Sequence, residues 1–428
     1  MFEQQGLSLD QAPPIRVILR LFLIGSLWGV LAGGWLMSFG ASALDPARSE
    51  ALILVHMLTL GVLASFMLGA LFQMLPVLAG VALPDPWTRA VRTQYPLMIG
   101  TLFLLLGFGL GGGVYYGLGT LFLLIGLVPT LGMMLARLGR VADHSGSSRG
   151  MLYAVFNLLV LLALGVILAG VRSGWWGSEH YLALRTAHMG YGLLGWIGLL
   201  IVSVAFQVVE MFYVTPPYPT RLTRWLGRAI TWLLAGSLLA GLVSETLQKG
   251  LIALVMIGLM VHGGITLRRF SQRKRPLTDA TVWFWRTGSV TLMLSMAVAL
   301  GAMFTPVPIR AEQLAAVLFV FFALSVIFAM FYKIVPFLVW FHLNAQGYFA
   351  APMMHEVIHP RYAMKHLWIH LAFILISLTA IIYPPLWSLA GGALLLSFGW
   401  IALAVYQAYD LYRHTQRTGE RFTFPALS

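Results

Sequence analysis

Two histidines sit at the mouths of long apolar runs: His56 in 55-VHMLTLGVLASFMLGALFQMLP-76 and His188 in 186-TAHMGYGLLGW-196. Neutral imidazole is an axial ligand to haem iron and also suits copper, so His56 and His188 are the first-choice cofactor ligands. The competing reading is an interfacial imidazole bonded to backbone or to Trp and Tyr anchors. His262, in 258-GLMVHGGITLRR-269, lies within another apolar run, where an ionisable residue is a functional candidate by default. His366 and His370 are four apart and share a helix face, a spacing that can ligate one metal. With His342, His355 and His359 they form a concentration of histidines. Within it, 355-HEVIH-359 matches H-E-x-x-H, where two His hold zinc and Glu356 would activate water. Pro352 and Pro360 bracket that motif and leave barely two turns of helix, so an amphipathic segment with lipid-facing or structural His competes with a zinc peptidase.

Polar residues also accompany the far ends of the same apolar runs. Glu210 follows Gln207 in 206-FQVVEMFYVTPPYP-219, and Lys333 follows Tyr332. Pairing of Glu210 with Lys333 would reduce the cost of each near hydrocarbon, and with Gln73 and Gln207 they would line a polar vestibule; separate snorkelling to the headgroups is the alternative. The chain has no cysteine, which excludes disulfides, thiolate metal sites and iron–sulfur clusters. Its 20 Met form no Met-x-x-Met array and read as gap-filling core.

The elements that must position these residues are membrane spans. Of 428 residues, 59% are hydrophobic and 10% charged, with a mean hydropathy of +0.85. Apolar runs of about 18 residues or more read as spanning helices, because only a helix satisfies its own backbone in hydrocarbon. Twelve are expected, at 18–40, 51–78, 94–113, 116–136, 151–171, 183–213, 224–244, 249–269, 283–304, 313–341, 365–383 and 387–409. They make one all-α transmembrane domain over 1–428, with 109-GLGGGVYYGLG-119 as a tight turn. The polar start MFEQQGLSLDQAPP shows no cleavage pattern, so the first span is expected to stay as an anchor. With both termini cytoplasmic, Arg48, Arg172, Arg185, Lys249 and Arg310 are the outside cations among 27 Lys and Arg. That bias is the positive-inside rule. It accounts for the net charge of +13 through topology and anionic lipid, without nucleic acid, and implies a bacterial-type inner membrane.

A faint repeat links three spans. Leu60, Gly61, Phe72 and Gln73 match Leu194, Gly195, Phe206 and Gln207, and 331-FYKIVP-336 resembles 72-FQMLP-76. Three four-helix repeats would place the second, sixth and tenth spans in equivalent positions. This architecture resembles the catalytic subunit of heme-copper oxidases, and 56-HMLTLG-61 with 188-HMGYGLLGW-196 is similar to its divergent relatives, the NnrS-type proteins. The resemblance implies haem b or copper, a small gas, metal or ion as ligand, and a role in nitric oxide response or metal homeostasis. His56 matches the low-spin haem ligand of the oxidases. His188 matches their copper ligand, although Gly192 stands where the following Tyr is expected and Tyr191 is one residue early. The paired His of the seventh span and those of the tenth are missing from 224-RWLGRAITWLL-234 and 312-EQLAAVLFVFF-322, which argues against oxygen reduction. The missing ligands also motivate another class: a transporter or accessory subunit that kept the scaffold and lost the cofactors.

Overall fold

The computed structural model describes residues 11–275, 277–305 and 309–421. These are helical almost throughout, with one isolated bridge between Tyr348 and Arg421. The long helices are α1 (Ile15–Phe39), α2 (Ser49–Ala79), α3 (Pro86–Leu110), α4 (Gly113–Leu138), α5 (Gly146–Arg172), α6 (Tyr181–Tyr213), α7 (Thr220–Gly241), α8 (Glu245–Ser271), α9 (Ala280–Phe304), α10 (Ile309–Ala345), α11 (Pro360–Ile382) and α12 (Trp387–Thr418). Among the described residues, 11 helices are long and apolar enough to cross a membrane. The exception is α7, whose first half carries Arg221, Arg224 and Arg228. The helices alternate in direction, so the described segments at 80–85, 139–145, 214–219, 272–275, 277–279 and 346–359 lie at one end, here the basic end.

Local chemistry explains where the helices depart from the expected bounds. α3 starts well before residue 94 because Asp85 caps it, accepting from the Thr88 amide at 3.3 Å, with Pro86 in the first turn; Pro lacks the amide that would be unpaired there. The glycine-rich turn shrinks to Gly111 and Gly112, whose φ of 74° and 92° suit only glycine without strain. α12 runs on beyond residue 409 to Thr418.

The most buried spans are α2, α6 and α10, the three that the expected repeat would set in equivalent positions. Two of them share a second property. Residues Met57–Leu63 of α2 and Gly190–Gly198 of α6 are π-helical, and the matched pairs Leu60–Gly61 and Leu194–Gly195 fall inside these segments. The Gly195 carbonyl accepts from Asn157 Nδ2 of α5 at 3.0 Å, and that amide also reaches Thr231 Oγ1 of α7 at 3.1 Å.

Helix-to-helix approach depends on small residues, because lipid supplies no hydrophobic drive between spans and packing must. Where α1 crosses α12, a Cβ on Gly391 would lie 2.2 Å from the Met37 backbone nitrogen, and one on Gly33 2.4 Å from that of Leu395. Gly399, on the same α12, has nothing within 4 Å of that position. Gly391→Leu should therefore lower stability by about 1–3 kcal/mol, the usual cost of overpacking, and Gly399→Leu should not. Thermal unfolding of both variants in one detergent checks this.

Candidate functional site

His56 and His188 come together at the end of the bundle opposite the basic one. Both rings are half-buried, and each stands just before the π segment of its helix. Single π turns recur at functional sites. His56 Nδ1 lies 2.8 Å from the Leu52 carbonyl. A carbonyl only accepts, so Nδ1 carries the hydrogen and the Nε2 lone pair is free for a ligand. His188 has a buried Nδ1, and its ring is within hydrogen-bonding reach of the Leu161 backbone of α5. Its ring lies against α5, where a Cβ on Gly165 would meet Cε1 at 3.4 Å. The two imidazoles are within electrostatic reach of each other, as are His56 and Arg172.

Four further residues complete the cluster. Phe108 of α3 packs on His56 with ring centroids 4.7 Å apart. Arg172, at the end of α5, donates from Nε to the Tyr116 hydroxyl of α4 at 3.3 Å and from Nη1 to the Tyr181 hydroxyl of α6 at 3.4 Å; its guanidinium also lies 5.9 Å over Phe108. Five helices, α2 to α6, thus meet here. Sequence reading missed these four residues: Tyr116 was absorbed into a turn and Arg172 into the count of outside charges. The one available signal was an arginine at the mouth of the span preceding His188.

The donor set is a poor one for a bare cation. Among the described residues no group of three or more His, Asp or Glu converges to hold a metal. The electrostatic neighbours of the two rings include a guanidinium and no carboxylate. A divalent ion would be repelled by Arg172. The same residue types could hold a haem, which needs one or two imidazole nitrogens, an apolar wall such as Phe108, and cationic or hydroxyl donors for its carboxylates.

The remaining predicted residues are placed elsewhere. His262 is buried in α8, stacked on Tyr218 at 5.6 Å and 3° and flanked by Phe206 at 5.7 Å. Thr266 Oγ1 stands 3.4 Å from its Nε2 and 2.9 Å from the Tyr218 hydroxyl, so His262 sits in an aromatic and hydroxyl nest with no second metal donor. His366 and His370 share a face of α11 as expected, but they do not point to one ion. Their Nε2 atoms diverge, to Ser397 of α12 at 2.7 Å and to Ser325 of α10 at 2.8 Å.

The HEVIH motif does not form a zinc-peptidase helix. His355 and Glu356 lie on the one-turn helix Met354–Val357, where Glu356 Oε2 accepts from the Met353 amide at 2.7 Å. His359 caps α11 instead, its Nδ1 accepting from the Arg361 amide at 3.2 Å. Pro360, expected to stop a helix, starts one.

The expected Glu210–Lys333 pair is also replaced. Lys333 Nζ bonds Asp279 Oδ2 at 2.6 Å and lies 5.4 Å over the Tyr213 ring. Glu210 Oε1 accepts from the Tyr218 amide at 2.7 Å. Asp279 wins because it is already fixed as the cap of α9, with Oδ1 accepting from the Val282 amide at 3.1 Å and Thr281 Oγ1 at 2.6 Å. Gln73 is buried with an unpartnered Oε1 and Gln207 is half-buried. No hydrogen bond or ion pair joins Gln73, Gln207, Glu210 and Lys333 into one vestibule.

Compared with known proteins, the chain matches no family model and no curated sequence.

The Asp279–Lys333 pair makes a pH prediction. Burial alone would raise the Asp279 pKa, but the Lys333 ammonium, the Thr281 hydroxyl and the Val282 amide outweigh it and hold it below the usual carboxylate value. A carboxyl lowered on folding adds stability above its unfolded pKa, roughly 4, and loses it as pH falls through the folded value. Asp279 is 44% exposed, so solvent screening limits the pair to about 1 kcal/mol. Thermal unfolding at neutral pH should drop for Asp279→Asn, and the gap between variant and wild type should close below pH of about 4.

Proposed function

We propose that the chain is a haem-binding, twelve-span membrane protein on a scaffold like that of heme-copper oxidase subunit I, in which His56 and His188 are the residues that would hold the cofactor. The observation that carries this reading is a pair of neighbouring imidazoles from α2 and α6, with the His56 Nε2 lone pair left free by the Leu52 carbonyl. The repeat is supported by the matching π segments of α2 and α6, and α7 is the twelfth span, its arginines lying at the basic end. Lys and Arg concentrate at that end, which the positive-inside rule makes cytoplasmic in an inner membrane. The haem site then faces the exterior side.

Each residue of the cluster has a separate task. The Leu52 carbonyl fixes the His56 tautomer and makes the opposite nitrogen more basic. Arg172, Tyr116 and Tyr181 offer a guanidinium and two hydroxyls to anionic side groups, and Phe108 gives a flat apolar wall. When bound, haem would supply one-electron chemistry and the capacity to take a small gas such as nitric oxide. The NnrS resemblance points to that gas.

The test is spectroscopic. Protein purified from haem-replete cells should show a Soret band with close to one haem per chain. His56→Ala and His188→Ala should each shift or abolish it, and Arg172→Gln should reduce haem retention several-fold while leaving the band position unchanged. A colourless preparation, or spectra identical to wild type in both histidine variants, overturns the assignment.

A further inference from the structure

The arc of α9 to α12 holds a second set of polar groups, unused by the His56–His188 site. His366, His370 and Ser377 line one face of α11, all at 0% exposure. Tyr332 of α10 faces His366 with ring centroids 5.7 Å apart. The lining is otherwise apolar: Phe284 of α9 stands 5.6 and 5.5 Å from the two imidazoles and Phe328 of α10 4.6 and 5.2 Å. Each imidazole has one anchor, Ser397 for His366 and Ser325 for His370.

Three buried polar atoms on this strip have no partner: Nδ1 of His366, Nδ1 of His370 and Ser377 Oγ. The Tyr332 hydroxyl and Nε1 of Trp400 of α12 are within hydrogen-bonding reach of each other. A buried polar group left unmet is costly, so three on one strip call for a partner. Such groups are met by internal water, which makes two to four hydrogen bonds each. A metal is a poorer occupant, because one nitrogen of each ring is engaged with serine and no third donor converges.

We propose that this strip is a hydrated half-channel in which His366 and His370 take up protons from the basic end. From Tyr332 and His366 it climbs α11 to Ser377, about 16 Å at 1.5 Å per residue, into the membrane interior. The charged pair at its lower end is Lys333 with Asp279, next in sequence to Tyr332. Tyr362, on α11 itself, is within electrostatic reach of Tyr332; the groups packed on the rings from α9 and α12 are Phe284 and Ser397. The chemistry balances at each ring. Nε2–H donates to the serine oxygen throughout, and the Nδ1 lone pair accepts a proton from a hydrated proton, leaving water and an imidazolium that returns the same proton to the next water. Chains of buried histidines and hydroxyls in membrane proteins mark such relays.

The test is solid-state NMR on the full chain, labelled with 15N-histidine and embedded in bilayers. Water magnetisation should reach both Nδ1 atoms, one signal disappearing in His366→Gln and the other in His370→Gln. Both signals should titrate reversibly, and Tyr332→Phe should slow proton exchange at His366 several-fold. Ser397→Ala and Ser325→Ala, milder changes, should each move only the ring they anchor, which assigns the signals if a histidine variant fails to fold. No water transfer to either ring in the wild type overturns the proposal, as does a stoichiometric copper or zinc that the histidine variants lose. Neither outcome depends on haem content, since His56 and His188 lie outside the strip.

Discussion

Hydrocarbon offers no hydrogen bonds, so every polar group within this bundle must be satisfied by another part of the chain or by captured water. That constraint accounts for most of the side-chain geometry. Serine and threonine hydroxyls turn back onto their own helices, as Ser26 does to the Phe22 carbonyl at 2.7 Å and Ser203 to Leu199 at 2.6 Å. Asn157 ties three helices together through one amide. Atoms that escape the constraint are therefore informative. Among the described residues they include Nδ1 of His262, His366 and His370, together with amide groups of Gln73, Gln94 and Asn157.

The spans were readable because apolar length is a property of the letters alone, and the histidine at the head of α2 and that of α6 could be marked for the same reason. Partnerships were not. Glu210 and Lys333 pair by sign and depth in the sequence, whereas Asp279, between two spans, went unmarked. It caps α9, and the same carboxylate has a second oxygen to offer Lys333. The HEVIH motif failed through its prolines: Pro360 has a first-turn preference as strong as its helix-breaking one, and only the fold decides which applies. Phe108, Tyr116 and Arg172 are far from His56 in sequence, and nothing in their own surroundings announces the meeting.

Two polar systems thus occupy separate sets of helices. One, across α2 to α6, is half-buried and bordered by arginine and tyrosine. The other, across α9 to α12, is sealed by phenylalanine and held by serine. The two systems share no helix, while glycine contacts such as that of Gly391 on Met37 hold α12 to α1.

The π segments carry a structural consequence of their own. An α-helix advances about 100° per residue, so one surplus residue within 57–63 rotates everything before it relative to everything after. Removing that residue would rewind α2 and swing His56 about a quarter-turn away from Phe108, while Phe72 and Pro76 kept their places. Each inner helix is accordingly two half-helices joined by an adjustable phase, and the orientation of either imidazole can drift through insertion and deletion without disturbing the opposite end of the same rod.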